Sequence, residues 1–150
     1  MATDSLEEFL AGIDEEGTHE CIVDNVQLVT SSKDGRVWCV FKYVVDDENS
    51  DINGEEISEM YQDFSHLKKD DLKDFTASER TAMRRAVRRK QERLESLNVS
   101  EDKLNNFNDW DSLAGLRVSV TVEVSSSTKD DENGRPVKTK YVNVRSVTLL

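Results

Sequence analysis

GLRVSVTVEVSS, residues 115–126, decides the fold class. Leu116, Val118, Val120, Val122 and Val124 alternate with Arg117, Ser119, Thr121, Glu123 and Ser125, so an extended chain here carries one apolar and one polar face. That period of two predicts a strand lying with one side on a core. After the polar turn TKDDENGRP, the run VKTKYVNVRSVTLL predicts a strand beside it. Towards the N-terminus, Gly17 opens THECIVDNVQLVTSS. There Ile22, Val26 and Leu28 fall on one face and Cys21, Val23 and Val29 on the other, a strand with an irregularity in its middle. Lys33, Asp34 and Gly35 supply hairpin chemistry, because Asp-Gly enters positive-φ conformations readily. RVWCVFKYVV, the acidic loop DDENSDINGEE and EISEMYQDF follow as strand, connection and strand.

After Phe64 the period changes. Thr76 and Glu79 have the spacing of a capping box, and Ala82, Met83, Ala86, Val87, Leu94 and Leu97 form a stripe at helical spacing. ERTAMRRAVRRKQERLES, residues 79–96, is therefore expected to be a helix of about five turns. A shorter helix is expected over Ser100–Phe107. In SLEEFLAGID, Leu6, Phe9, Leu10 and Ile13 with a Ser5/Glu8 box predict an amphipathic helix within residues 1–16. The expectation is one domain over residues 1–150, mainly β with a helical insertion at 66–113. The order β-β-β-α-β-β is that of a five-stranded OB-like barrel.

Charge narrows the function. The chain has 150 residues, 34% of them charged, a net charge of −11 and a pI near 4.6, which repels polyanions at long range. Yet Arg80 to Arg93 holds seven basic residues and one acid. Arg84 and Arg88 lie four apart, as do Arg85, Arg89 and Arg93, in two rows away from Met83, Val87 and Leu94. Like charges at that spacing oppose one another by a few tenths of a kcal/mol per pair, so something should offset them. Phosphate, the loop DDENSDINGEE and an acidic patch on a second subunit are the candidates.

The layout of a G-x-x-x-C-I-V-D first strand, W-C-V-F-K-Y-V-V, a polar helical middle, S-L-A-G-L-R-V-S-V-T-V and a closing Y-V-N-V resembles small phage-encoded single-stranded-DNA-binding proteins of OB fold. The resemblance implies a glycine at the start of strand four, which Gly115 matches. It also implies DNA across strands two and three and the loops joining strands one to two and four to five. Phage DNA replication or recombination, replication or recombination proteins as partners, and the host cytoplasm follow from it as expectations. The chain departs from the pattern in ending on apolar VTLL rather than an acidic tail, and in its long basic connection.

Binding single strands requires aromatic faces for bases and cations for phosphates. Trp38, Val40 and Lys42 share one face of strand two, while the more apolar Cys39, Phe41 and Tyr43 are assigned to the core. Trp38 and Lys42 then point outward, with Tyr61 on strand three and Tyr141 on strand five as further stacking platforms. These aromatics could equally fill a small barrel. Lys33 and Arg36 flank the first hairpin, and Lys129, Arg135, Lys138 and Lys140 the last, with Arg84, Arg85, Arg88 and Arg89 on the helix. Asp34, Asp130, Asp131 and Glu132 interleave with the loop cations, so ordinary soluble loops are the competing reading.

Nothing points to an enzyme or a cofactor: there are two histidines and no G-x-S-x-G, phosphate-binding glycine loop or H-E-x-x-H. His19, Cys21, Cys39 and His66 lack the paired spacing of zinc sites, and DDENSDINGEE has its glycine misplaced for an EF-hand. Two cysteines inside strand-like runs read as buried free thiols, and no run suggests a membrane span or signal peptide. A protein-protein module on the same barrel, either an assembly or capsid-associated component or an inhibitor of a host factor, is the alternative function. Exposed sheet edges leave homo-oligomers open.

Overall fold

A computed structural model of the chain describes residues 17–150; the N-terminal helix expected within residues 1–16 lies outside the described residues. The chain is mainly β, with five antiparallel strands in one sheet and one α-helix. The strands are β1 (Gly17–Thr30), β2 (Val37–Val45), β3 (Glu56–Gln62), β4 (Arg117–Asp130) and β5 (Pro136–Leu149), in spatial order β3-β2-β1-β4-β5. Helix α1 (Ala77–Ser96) lies between β3 and β4 in the chain.

β1 is the central strand and the bent one. Its register with β2 shifts between Val23 and Asn25, so Asp24 is an extra residue. The bulge turns Cys21 and Val23 to the same side as Val26, and all three are buried. The two mixed faces read from the sequence thus become a single core face. At the bend, the Gly115 amide donates to the Val23 carbonyl (2.8 Å) and the Val23 amide to the Leu116 carbonyl (2.9 Å), which hooks the start of β4 onto β1. Gly115 has a φ of +88°, a conformation that L side chains rarely adopt.

Cys39, Phe41 and Tyr43 of β2 meet Val118, Val120 and Val122 of β4 in the core, together with Ile57, Leu94, Leu97 and Leu113. Two expected boundaries move. The last turn tightens to Asp131–Arg135, where the Asp131 carboxylate accepts from the amides of Asn133 (2.9 Å) and Arg135 (2.8 Å), so β4 extends to Asp130. Among the described residues the pairing of β1 with β4 stops at Gly17 and Val122, and from Glu123 onward β4 pairs with β5 alone.

The helix expected over Ser100–Phe107 is instead a three-residue 3-10 turn, Glu101–Lys103, followed by another at Trp110–Leu113. Asn and Asp side chains offer the backbone local alternatives to helical bonding, and this segment is rich in both. Asn106 takes a φ of +58°, and Phe107 packs edge-on to Trp110 at 5.0 Å.

The sheet does not close into the expected barrel. The edges of β3 and β5 approach, but no ladder joins them among the described residues. A cleft of about 600 Å³ separates them, lined by Tyr61 of β3, Val142 and Arg145 of β5, and Arg89 and Arg93 of α1. Arg89, Glu92 and Arg93 of the helix line one wall of this open seam.

Candidate nucleic-acid interface

Helix α1 begins where its sequence predicts. The Glu79 amide donates to Thr76 Oγ1 (3.1 Å) and the Thr76 amide to Glu79 Oε1 (3.0 Å), a reciprocal capping box. It ends with Asn98 at a φ of +66° and the Val99 amide on the Leu94 carbonyl (3.0 Å). Its cations then divide into two groups.

Lys90 and Arg93 turn inward. Arg93 grips Glu59 of β3 through Nε (2.6 Å) and Nη2 (3.3 Å), and the hydroxyls of Tyr43 (2.9 Å) and Tyr61 (3.1 Å) donate to the same carboxylate. The side chains of this pair are 11% and 8% exposed, so four hydrogen bonds satisfy a nearly dry charge. Burial and the adjacent Glu59 charge push both phenols up, Tyr61 to about 12, so each remains a donor. Lys90 Nζ lies 2.6 Å from Asp63, a residue 1% exposed that also accepts from the Ser65 amide (2.9 Å) and hydroxyl. Burial would raise the Asp63 carboxyl, but the bonds from Lys90 and Ser65 outweigh it and hold it below the usual range.

Arg84, Arg85, Arg88 and Arg89 are exposed, and none has an ion pair among the described residues. The acidic loop does not neutralise them. Its Asp46 takes Arg117 at 2.6 Å, and Glu56 at the start of β3 lies 3.8 Å from Lys42. The two rows also address different surfaces. Arg84 and Arg88 line an apolar trough with Phe64, Leu72, Met83 and Val87, while Arg89 borders the β3–β5 cleft.

The second surface is the outward face of β1–β3. Strand pairing sets Val29 opposite Trp38 and Trp38 opposite Gln62; Gln27, Val40 and Met60 form the next row, and Asn25, Lys42 and Ser58 the third. Trp38 and Lys42 are half-buried on this face, as the alternation in β2 predicts, while Met60 is 56% and Val29 41% exposed. Arg36 and Lys33 stand at its edge on the β1–β2 hairpin, shaped by Gly35 at a φ of +73°.

Tyr61 does not join Trp38. It pairs with Cys39 on the opposite face, stands edge-on to Phe41 (5.7 Å, 87°) and donates to Glu59. The reason is the period of two, which sends adjacent positions 60 and 61 to opposite sides, so Met60 takes the place expected of Tyr61. Arg145 is bound by Glu123 at 2.8 Å. Lys129 and Arg135 are exposed at the tip of the last hairpin, away from Trp38 in strand order. The side chains of Lys138, Lys140 and Tyr141 lie outside the described residues.

Cys21 and Cys39 are free and fully buried, and burial pushes their thiols up to about 11 and about 12. Among the described residues no three His, Cys, Asp or Glu side chains gather as a metal site, and no helix is long and apolar enough to cross a membrane. Phe64 escaped the sequence reading; its signal was an aromatic directly after a strand and before a basic helix. No protein-family model matches the chain, and no curated protein matches it.

Proposed function

We propose that this protein binds single-stranded DNA without sequence preference, as a phage-encoded protein of DNA replication or recombination would. The observation that carries the reading is the set of four exposed arginines, Arg84, Arg85, Arg88 and Arg89, with no carboxylate partner among the described residues. Uncompensated like charges on one helix are what a polyanion would neutralise. Trp38, flanked by the exposed Val29 and Met60, supplies an apolar outward surface on which bases stack, and Lys33, Arg36 and Lys42 stand beside it for phosphates. Stacking and charge read every base alike, hence the absence of sequence preference.

The order β-β-β-α-β-β, with β1 shared between β2 and β4, supports an OB arrangement opened at the β3–β5 seam. A protein-docking role draws support from one feature, the edges of β3 and β5 that face the open seam, which are unpaired among the described residues and could accept a strand. Anisotropy of a labelled thymidine oligonucleotide, titrated at low and near-physiological salt with duplex as control, separates the two. Single-strand affinity that falls steeply with salt supports the proposal. No binding by folded protein at low salt would exclude it.

A further inference from the structure

The basic helix and the outward sheet face are separate surfaces, and the ground between them is not flat. A hollow of about 440 Å³ lies between the β1–β2 hairpin and α1, walled by Arg36, Gln62, Phe64, Phe75 and Met83. The trough of about 400 Å³ that carries Arg84 and Arg88 adjoins it, and Phe64 and Met83 line both. Gln62 is also the β3 partner of Trp38, so the first hollow begins where the outward face ends. Two adjoining hollows therefore lie between Gln62, the strand neighbour of Trp38, and the arginine row.

We propose that Phe64 is a base-stacking residue, and that the two hollows beside it each seat a nucleobase of a single strand passing from Trp38 to Arg84 and Arg88. This rests on the single-stranded-DNA reading above. The chemistry of the walls suits such an occupant. Phe64, Phe75, Met83 and Leu72 offer apolar and aromatic surface, and Arg36, Arg84 and Arg88 stand at the rims for phosphates. Arg80 does not compete for phosphate, because its guanidinium donates to the Leu72 (3.3 Å) and Phe75 (3.1 Å) carbonyls and so ties down the wall. Two acids line the first hollow and both are engaged. Asp34 accepts from the Arg36 amide (3.0 Å), and Glu79 accepts from the Thr76 amide (3.0 Å). Phe64, Phe75 and Met83 are half-buried, Leu72 is exposed, and all lie beside positive charge that is uncompensated among the described residues.

The test uses the full chain and thymidine strands carrying one 5-iododeoxyuridine, irradiated and mapped by peptide mass spectrometry. Adducts on Phe64 as well as on the Trp38 peptide are the expected result. The Phe64→Leu variant keeps the apolar bulk and removes the ring. It should bind a strand of about sixteen nucleotides about tenfold more weakly than the native chain, while a strand of about four, short enough to sit on the Trp38 face, is unaffected. Adducts confined to the Trp38 peptide, with Phe64→Leu binding both strands like the native chain, would overturn the second segment and leave the sheet-face reading standing. Absence of adducts and of affinity at low salt would overturn both.

Discussion

The two halves of α1 have similar sequences and opposite fates. In RRAVRR, residues 84–89, every arginine is exposed and unpaired among the described residues; in KQER, residues 90–93, Lys90 and Arg93 are held at 2.6 Å by Asp63 and Glu59. Nothing in the basic run distinguishes the two groups. The difference comes from β3 and the residue just after it, which bring Glu59 and Asp63 to Arg93 and Lys90, while among the described residues no carboxylate pairs with the arginines at 84–89. A cation that completes a buried charge is part of the fold, and one left without a partner is free for a ligand.

The largest effect should come from removing an inward cation. Arg93→Ala leaves Glu59 buried without its counter-ion and should destabilise the fold by about 3–5 kcal/mol, read as a lower urea midpoint. A loss under about 1 kcal/mol would mean that the two tyrosines satisfy Glu59 alone, and the contrast between the halves would weaken. Replacing Arg84, Arg85, Arg88 and Arg89 together by Glu should leave each site within about 0.5 kcal/mol of native stability. The same variant should lower single-strand affinity at least about a hundredfold and flatten its salt dependence. Unchanged affinity in that folded variant would end the phosphate role of the helix.

Acid distinguishes the halves next. Asp63 has its carboxyl held below the usual range, so its contribution is fully present above the ordinary aspartate value of about 3.9 and is lost as pH falls through the lowered one. Urea midpoints should therefore drop as pH is taken below about 4, and the Asp63→Asn variant should show a smaller part of that drop. The same slope in both proteins would assign the acid sensitivity elsewhere. The smallest expected change is at the free end. Thr76→Ala removes the cap and should cost about 1 kcal/mol, without altering the Arg93–Glu59 pair.

Much of this was readable beforehand. The alternation in β4 and β2 identified the core face, and the Thr76/Glu79 box identified the helix start, because each depends on a period or a reciprocal bond contained within a few residues. Tyr61 was misplaced because its neighbour Met60 shares the same short strand, and only registry with Cys39 tells which of the two faces inward. The open seam had the same origin. Strand order suggests a barrel, but whether β3 and β5 pair is set by how the strands approach in space, which no local pattern carries.

The sequence by itself determined the strands, the helix, the hairpin turns at Gly35 and Gly134, and the outward position of Trp38, since side-chain period and backbone conformation are local properties. Tertiary structure alone decided which arginines are neutralised, that Phe64 lies between two hollows, and that the sheet stays open. Those outcomes depend on pairings such as Glu59 with Arg93, thirty-four residues apart, and burial, not composition, settles whether a charge is spent within the molecule.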